Sequence, residues 1–445
     1  MLPPLFFSVR IPTLLAIFWR TYLQRDCVVG STHREPLSIL VFRLDSMGDV
    51  VLTTPLFREL KKAFPKSRCT VVVQDAYRSL LVTNPHIDQV LSLPDIKSAW
   101  LPGGVKRLLA ALLLYRNRLR GRHFDFAISP RWDVDEHLAT FLCVLTNASS
   151  RVGYSENASP AKQRCNRGFD AAFSNCLPPR SARHEAMRNL AILEALGGTV
   201  SDDTLEIRLT ERDRRRAAKL LARAAPSSKL VAIGIGARSP GRRWPLERYS
   251  ATLLQLANEY PVQAVVVCSA AECEQATKLA NSLGGSAILV SGAPIREVCA
   301  VLERCDLFIG NDSGCAHLAA AVNCKTIVIS RHPRDADPNH FNSPLRFAPH
   351  GSCVRVLQPA TGLEGCSSAC TSAEPHCITS VVVDDVAAAA RKLLQTRQPV
   401  HRPHLARSCS DKVSRYLMHS HSADAIQRAV EVLRSGQNRP PTAAP

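Results

Sequence analysis

The sequence predicts an α/β protein made of two Rossmann-like, doubly wound domains that face each other across a cleft. Short apolar strands alternate with helical segments along most of the chain, which is typical of parallel sheets. The alternation stops in a polar, charged stretch after residue 200 and restarts near residue 230. The chain of 445 residues is also longer than one hydrophobic core usually serves. Together these observations predict two parallel sheets with a cleft between them.

The first unit begins with an apolar strand at residues 37–42. Gly48 marks the turn after it, and the helix that follows ends before Pro65, because proline lacks the N–H that a helix interior needs. We expect further strands at residues 69–73, 90–93 and 126–128, and helices at residues 105–123 and 183–196. The stretch 155–181 is rich in Asn, Pro, Gly and Arg and is expected to be irregular.

The second unit repeats the alternation from residue 229. We expect its strands at residues 230–235, 262–268, 287–290, 307–309 and 326–330, and its helices at residues 246–260, 272–282, 295–303 and 313–322. The predicted division is an apolar and basic extension at 1–36, an acceptor-side Rossmann-like domain at 37–200, a linker at 201–228, a second Rossmann-like domain at 229–396, and a Pro- and Arg-rich tail at 397–445 with one short helix at 423–434.

Composition narrows the class of protein. The net charge of +18, from 56 Lys and Arg against 38 Asp and Glu, favours acidic partners such as phosphorylated sugars, nucleotides or anionic lipid. Aromatic residues are only 6% and scattered, which argues against a nucleic-acid surface built on stacked bases. The apolar share of 46% excludes an extensively disordered chain. Many of the 16 cysteines lie in apolar stretches, so we expect a reducing compartment, the cytoplasm.

Two segments are candidates for contact with a membrane surface. No uncharged apolar run reaches the roughly 18 residues that a spanning helix needs, and Arg10 and Pro12 interrupt the most apolar segment, residues 1–26. That segment is either a frayed tail or a helix lying in the membrane interface. The basic helix at residues 105–123 either rests on anionic lipid or is a solvated helix with a buried leucine stripe.

The first chemical motif, residues 43–49, joins the first strand to the first helix. Ligands of doubly wound sheets collect at the carboxyl ends of the strands, so we expect Arg43, Ser46 and Gly48 to face the cleft from the first sheet. Asp49 is suited to accept a proton from a sugar hydroxyl. The alternative is a helix cap, which the motif alone favours, and a helix N-terminus also weakens a carboxylate as a base.

The second motif, residues 311–317, follows the strand at residues 307–309. Asp312, Ser313 and Gly314 open a helix whose unpaired N–H groups form a natural site for a diphosphate. His317 lies four residues after Ser313 on the same face, so its imidazole is directed at the bound anion. An ordinary cap with a core histidine explains this stretch about as well.

The third motif is the loop at residues 234–245. Gly234 and Gly236 permit close approach of the backbone to a ligand, while Arg238, Arg242 and Arg243 supply guanidinium groups for phosphate. A solvated basic loop is the alternative, but the arginines emerge at the carboxyl end of a strand, which favours phosphate binding.

Two weaker signals remain. Glu272 and Glu274 open the helix after the strand at residues 262–268 and could accept ribose hydroxyls, although carboxylates at a helix start are expected in any case. A cysteine-rich stretch near the end of the chain also contains a histidine. Its candidate ligands are Cys353, Cys366, Cys370, His376 and Cys377. A zinc site needs four ligands in tetrahedral geometry, and the irregular spacing makes the absence of a metal the favoured interpretation.

Taken together, these segments resemble glycosyltransferase family 9, the ADP-heptose:lipopolysaccharide heptosyltransferases. The similarity extends over residues 39–394 and is most specific at residues 39–60, 84–90, 242–245, 308–322 and 376–386. The resemblance implies a GT-B fold whose first domain binds the acceptor and whose second binds the nucleotide-sugar. It implies an inverting transfer without metal or cofactor. Asp49 would be the catalytic base, and the implied donor-side residues are Arg242, Glu272, Asp312, Ser313, Gly314 and His317.

The reaction implied is transfer of heptose from ADP-heptose to the lipopolysaccharide inner core, onto lipid A–Kdo or a heptosyl acceptor. The partners would be a nucleotide-sugar, an acidic glycolipid and the inner face of the cytoplasmic membrane, with no nucleic acid. Ser330 and Arg331 replace a Phe-Gly pair usual in the family, so another nucleotide-sugar or acceptor in surface polysaccharide synthesis stays open. A non-catalytic GT-B protein would predict a damaged site, whereas Asp49 and His317 are both present.

Overall fold

The computed structural model describes residues 10–18, 36–98, 100–178 and 184–396. Within these residues the chain forms two parallel sheets, each with apolar cores on both faces. The predicted α/β class with two Rossmann-like units is therefore confirmed. The helix predicted at residues 423–434 and most of the N-terminal extension lie outside the described residues.

The first sheet contains β1 (Ser38–Arg43), β2 (Arg68–Gln74), β3 (Gln89–Leu93), β4 (Phe126–Ser129), β5 (Ser150–Tyr154) and β6 (Asn175–Leu177). These strands are all parallel and lie in the order β3-β2-β1-β4-β5-β6. The α-helices of this half are α1 (Ile11–Phe18), α2 (Met47–Leu52), α3 (Thr54–Ala63), α4 (Asp75–Leu81), α5 (Gly103–Leu114), α6 (Ala139–Leu145), α7 (Pro160–Cys165) and α8 (Glu185–Ala195).

The second sheet contains β7 (Lys229–Gly234), β8 (Val262–Cys268), β9 (Ile288–Ser291), β10 (Leu307–Asn311), β11 (Thr326–Ile329) and β12 (Val354–Leu357). Its strand order, β12-β11-β10-β7-β8-β9, repeats the topology of the first sheet, again with every pair parallel. The remaining α-helices are α9 (Glu211–Leu220), α10 (Leu246–Ala257), α11 (Cys273–Ser282), α12 (Ile295–Glu303), α13 (Gly314–Ala321), α14 (Pro344–Phe347) and α15 (Val383–Gln395).

The central strands are apolar throughout because both of their faces are covered. In β1, Ile39 and Val41 belong to one core cluster, while Leu40 and Phe42 belong to the cluster on the opposite face. Successive side chains of a strand point to opposite faces, so a strand between two helical layers needs an unbroken apolar run. This requirement is why the central strands are visible in the sequence.

Each sheet has one point where the strand order reverses, between β1 and β4 in the first and between β7 and β10 in the second. In open α/β sheets the ligand crevice lies outside the carboxyl ends of the strands at such a point. The segments that follow β1 and β10 are the two motifs identified in the sequence. The topology therefore places both motifs at the crevice of their own sheet.

Several predicted elements differ from the structure. The helix predicted at residues 105–123 is shorter in the structure. The α-helix α5 ends at Leu114, and a π-helical turn over Tyr115–Leu119 follows it. Gly121 has a φ of +76°, a left-handed conformation that cannot continue a helix. The stretch at residues 201–228, predicted as a linker, contains α9, which packs on α12 of the second half. The short strands β5, β6 and β12 were not predicted.

Helix α1 packs against α6 of the first half. Ala16 and Ile17 are buried in the apolar core there, while Leu15 and Phe18 are more than half exposed. The described part of the extension is thus packed on the first half and is not a frayed tail, while its contact with a membrane stays a prediction. None of the helices in residues 10–18, 36–98, 100–178 and 184–396 is long and apolar enough to cross a membrane.

The two halves touch along several elements. One continuous apolar cluster includes Leu80 of α4, Ala217 of α9 and Val301 of α12. On the other side of the interface, Arg346 donates to the Asp133 carboxylate at 2.8 Å, and its guanidinium lies 4.5 Å from the centre of the Trp132 ring. The halves therefore form a shared interface and are not joined by the chain alone.

Arg296 of α12 is a central polar contact of this interface. It forms an ion pair with Asp213 of α9 at 2.5 Å and donates to the carbonyl oxygens of Ser79 and Arg208 at 3.0 and 2.9 Å. It also donates to the Thr83 hydroxyl at 2.9 Å. A single guanidinium thus ties the second half to α9 and to the chain following α4.

We expect Arg296→Met to lower the free energy of unfolding by about 1.5–3 kcal/mol, because it leaves the Asp213 carboxylate and several acceptors without their donor. Arg214→Met is the matched control, since Arg214 joins the same two helices through an exposed pair with Glu303 at 2.8 Å. An exposed pair contributes less than about 1 kcal/mol. Urea unfolding of both variants measures the difference, and equal losses would contradict the role assigned to Arg296.

Candidate active site

The N-terminal ends of α2 and α13 meet across the crevice. A methyl group built on Gly48 would lie 2.9 Å from both Cδ2 and Nε2 of His317, and one on Gly314 would overlap the side chain of Met47. Gly48 therefore permits a close contact with the His317 ring that a larger side chain would obstruct, while Gly314 leaves room for the flexible end of Met47. The structure thus brings together the two motifs that the sequence placed on separate sheets.

Asp49 lies at the start of α2 and is only 7% exposed. Its Oδ2 accepts hydrogen bonds from the Ser46 backbone N–H at 3.1 Å and from the Ser46 hydroxyl at 2.6 Å. Its Oδ1 accepts from Nη2 of Arg43 at 3.1 Å, and Nη1 of Arg131 lies 3.8 Å from Oδ2. The carboxylate both caps the helix and faces the crevice, so the two readings of this residue are compatible.

These contacts decide the charge of Asp49. Burial alone would raise the pKa of its carboxyl, but the opposite charges of Arg43 and Arg131 and the hydrogen bonds from Ser46 outweigh burial. The pKa of Asp49 is consequently lower than its ordinary value. The group is ionised throughout the neutral range, always able to accept a proton but intrinsically a weak base.

Arg43 is fully buried and organises the acceptor-side charges. Besides Asp49, its guanidinium pairs with Asp45 at 3.4 Å and with Glu185 of α8 at 3.2 Å. Burial opposes its charge, but these three carboxylates raise the pKa of Arg43 overall. Arg43 therefore acts on the site by fixing Asp49 and is not itself presented to a ligand.

Arg131 is a residue that the sequence reasoning missed. It follows β4, pairs with Asp45 at 3.3 Å, and reaches toward Asp49. Its position just beyond the carboxyl end of a strand next to β1 was a usable signal, because side chains there face the crevice. Glu185 offered no comparable signal, since its role depends on how α8 packs against the sheet.

The wall of the crevice that belongs to the second half is built around the start of α13. Ser313 has extended backbone angles, φ −150° and ψ 169°, and its hydroxyl does not cap the helix. Arg242 pairs with the Asp312 carboxylate at 2.6 Å and donates to the Asp312 carbonyl oxygen at 2.9 Å. This pair holds a guanidinium beside the N-terminal N–H groups of α13, where an anion is favoured.

The other arginines of the same loop are arranged differently. Arg243 donates to the carbonyl oxygen of Ala237 at 3.2 Å, so it supports the loop from within. Arg238 is exposed. Of the three arginines that the sequence proposed for phosphate, Arg242 is the one paired with Asp312 at the start of α13.

His317 is buried at 5% exposure between the two halves. Its Nδ1 has no hydrogen-bond partner among the described residues. Burial lowers its pKa below the ordinary value, although the carboxylates of Asp312 and Asp49 act in the opposite direction. The imidazole is therefore neutral at neutral pH, and its buried Nδ1 is left without a partner.

Comparison with known protein families identifies the family to which this chain belongs. The model of glycosyltransferase family 9 (heptosyltransferase) matches residues 112–334, half of the chain. The chain belongs to glycosyltransferase family 9. It is therefore a glycosyltransferase, and the two-sheet architecture is the GT-B fold of its structural neighbours.

Individual relatives are distant. The chain is 26% identical over 289 residues to lipopolysaccharide heptosyltransferase 3 of Escherichia coli K12, covering 64% of this chain and 78% of that protein. Among solved structures it is similar to the family 9 glycosyltransferase of Veillonella parvula, with a TM-score of 0.65, 21% identity and coverage of 81% and 97%. It is also similar to E. coli heptosyltransferase WaaC with ADP, with a TM-score of 0.59, 16% identity and coverage of 80% and 100%. At sequence identities of 21% and 16%, these two solved structures show that the fold is shared.

Glu272 of this glycosyltransferase lies at the carboxyl edge of β8, next to the Arg242 loop. Its Oε2 accepts from the Ser269 backbone N–H at 3.0 Å and from the Ser269 hydroxyl at 2.8 Å, so it caps the following helical turn. Its Oε1 faces Gly236, where a methyl group would lie 2.5 Å away. Glu272 therefore caps the helical turn, and it also lies beside Gly236 at the crevice of the second sheet.

Two other features of the enzyme lie outside the crevice. A groove of about 750 Å³ runs along the edge strand β3 and is lined by residues such as Arg78 and Arg118, but by none of the predicted site residues.

Among the described residues, one group of side chains could hold a metal ion, and it belongs to the cysteine-rich stretch of the second half. It lies behind the Arg242 loop and not between the two motifs.

Proposed function

We propose that this enzyme transfers heptose from ADP-heptose to the inner core of lipopolysaccharide, on a Kdo or heptosyl residue linked to lipid A, with inversion at the anomeric carbon. The supporting observation is the contact of Gly48 with His317, which sets Asp49 and the start of α13 on opposite walls of one crevice. The substrates are proposed from the relatives: one is a lipopolysaccharide heptosyltransferase and another was solved with ADP.

In the proposed reaction the acceptor hydroxyl oxygen forms a bond to the anomeric carbon while the bond from that carbon to the diphosphate oxygen breaks. The hydroxyl proton passes to Asp49, and the bonding electrons leave with ADP. Negative charge therefore grows on the diphosphate. The N–H groups that open α13, with Arg242 beside them, are positioned to stabilise that charge.

The lowered pKa of Asp49 suits it to accept the hydroxyl proton at a late stage of the proposed reaction. An ionised carboxylate needs no prior deprotonation, and the acceptor hydroxyl becomes more acidic as its bond to the sugar forms. Arg43 and Ser46 hold the carboxylate in place, so little reorganisation is required. We infer that Asp49 takes the proton late, when most of the charge has already moved to the diphosphate.

His317 completes the proposal on the donor side. A neutral imidazole with one unused nitrogen can form a hydrogen bond to the donor without introducing a charge. Its ring contact with Gly48 also couples donor binding to the acceptor-side motif. We propose that Arg242 and His317 together recognise the diphosphate and the adjoining sugar, with Glu272 near the ribose.

Asp49→Asn should lower kcat by about 10²–10⁴, because the amide keeps the shape but cannot accept the proton. Asp45→Asn is the matched control, since Asp45 belongs to the same charge network, and it should lose much less. Transfer from ADP-heptose to deacylated core acceptor is followed by mass spectrometry. Calorimetry with ADP, UDP and GDP tests the donor. Near-normal turnover of Asp49→Asn would remove it as the base, and binding of UDP or GDP without ADP would favour another donor sugar.

The pH profile tests the electrostatics of Asp49. Because the pKa of Asp49 in the folded enzyme lies below its ordinary value, kcat/KM should stay level as the pH falls and drop only below the ordinary titration range of an aspartate. Arg131→Gln removes one of the charges that lower this pKa, so the acid limb of the profile should move to higher pH. Arg131→Lys keeps the charge and should leave the limb near its wild-type position. A wild-type limb near neutrality that Arg131→Gln does not move would assign the proton to another group.

We also propose peripheral contact of the enzyme with the inner face of the cytoplasmic membrane, through α5 and the turn before it. Val105, Leu109 and Leu112 are exposed on α5, and Trp100 is 94% exposed. Exposed basic side chains follow at the end of the helix, at Arg116, Arg118 and Arg120. An apolar strip beside cations suits the surface of an anionic bilayer.

Replacing Trp100 and Leu109 together by Ser should weaken sedimentation with vesicles that contain phosphatidylglycerol by about tenfold or more, since each side chain loses on the order of 1.5–3 kcal/mol of burial in lipid. Leu254→Ser is the control, because Leu254 is a 56% exposed leucine of the second half. Equal sedimentation of all three proteins would contradict this contact.

A further inference from the structure

We propose that Cys366, Cys370, His376 and Cys377 form a tetrahedral site for a thiolate-binding transition-metal ion, and that Zn²⁺ fits it. The ligand atoms of these four side chains all lie within 4.8 Å of one another. The three cysteines are buried, and the histidine is partly buried. Four such ligands are the complete set of a closed structural zinc site.

The spacing of the ligand atoms supports this assignment. Nδ1 of His376 lies 3.5 Å from Sγ of Cys366 and 3.5 Å from Sγ of Cys377. With Zn–S near 2.3 Å and Zn–N near 2.0–2.1 Å, a tetrahedral site requires a separation of about 3.6 Å between sulfur and nitrogen. The same Nδ1 faces two thiols, which is the arrangement expected of ligands that converge on one ion.

Ordinary packing gives a weaker account of the cluster. The three cysteines form a small apolar cluster of their own, separate from the large cores on the faces of the sheet. Three small side chains bury little apolar area, so the hydrophobic effect alone stabilises such a cluster poorly. A disulfide is also a poor substitute, because pairing two of the three thiols would leave the third buried beside the histidine.

The loop that carries the cysteines needs a structural constraint of the kind that a bound metal ion provides. Between the end of β12 and the short 3₁₀ turn Cys377–Ser380, residues 358–376 form no helix or strand. A stretch of this length without secondary structure is uncommon inside a compact domain unless something ties it down. Gly365, with φ +78°, and Gly362, whose added methyl would overlap the Cys366 carbonyl oxygen, bend the chain around the cluster. A bound ion would tie the middle of this loop, at Cys366 and Cys370, to its C-terminal end at His376 and Cys377.

The loop supports the donor-side arginine. Its Ser372 carbonyl oxygen accepts from Nη1 of Arg331 at 2.8 Å and lies so close to Gly241 that any side chain there would overlap it. Farther along, the Val381 carbonyl oxygen accepts from the Trp244 indole N–H at 2.9 Å. The segment around Arg242 is therefore held against the chain that carries the cysteines. A positioning effect of the ion on donor binding follows, and this part rests on the proposed function.

The experiment measures metal first and activity second. The full chain, purified without chelator, should contain about one equivalent of zinc or iron by inductively coupled plasma mass spectrometry. Cys366→Ser and Cys370→Ser should lose most of it, whereas His376→Cys should retain it because four ligands remain. Cys353→Ser is the matched control: Cys353 is a partly buried cysteine of the same half but outside the group of four, so the metal content of this variant should be unchanged.

A wild-type chain with less than about a tenth of an equivalent of metal, and with no uptake of added Zn²⁺, would overturn the site. So would a disulfide among these cysteines in the intact mass of the unreduced protein. If the serine variants do not fold, Co²⁺ substitution of the wild-type protein replaces them: intense thiolate-to-cobalt absorption supports the site, and its absence overturns it. An unchanged KM for the donor in a folded, metal-free variant would overturn only the positioning role. Metal content does not depend on turnover, so failure of the proposed reaction would leave this result intact.

Discussion

The buried charge of Arg43 is the constraint on which the acceptor side depends. A guanidinium at the carboxyl end of β1, with no exposed surface, has to be neutralised by its neighbours, and Asp45, Asp49 and Glu185 do so from three different segments. Removing a buried charge's partners is costly, so these segments are fixed relative to each other. Asp49 is held in place as a consequence, and its weakness as a base follows from the same contacts that position it.

The donor side uses weaker and more exposed interactions. Arg242 is held by one carboxylate and by backbone oxygen, and a helix terminus supplies partial positive charge beside it. These groups can exchange partners when a diphosphate arrives, whereas the Arg43 network cannot easily do so. In the proposed reaction, rigid positioning of the proton acceptor and adaptable binding of the leaving group would thus be divided between the two halves of the enzyme.

The sequence predicted the central architecture because parallel strands buried on both faces leave unbroken apolar runs, as in β1 and β7. It failed at β5, β6 and β12, which are short and lie at or near the edges of the sheets, and at α9, whose charged sequence resembles a linker. Asp49, Arg242 and His317 were proposed from the sequence because they follow strand ends. Glu185 was not found, because nothing local marks a residue whose importance comes from a helix packing 142 positions away. The clustering of the cysteine-rich stretch was not foreseen for a similar reason: its irregular spacing does not show that the loop brings four side chains together.

The glycines at positions 48 and 314 set how closely the two halves approach. Each leaves a space that the opposite half fills, with the His317 ring at one and the Met47 side chain at the other. A methyl group at position 48 would push against the His317 ring at the mouth of the crevice, whereas one at position 314 would first displace the flexible end of Met47. The distance between the two walls of the crevice therefore depends on side chains that consist of one hydrogen atom each, most directly at Gly48.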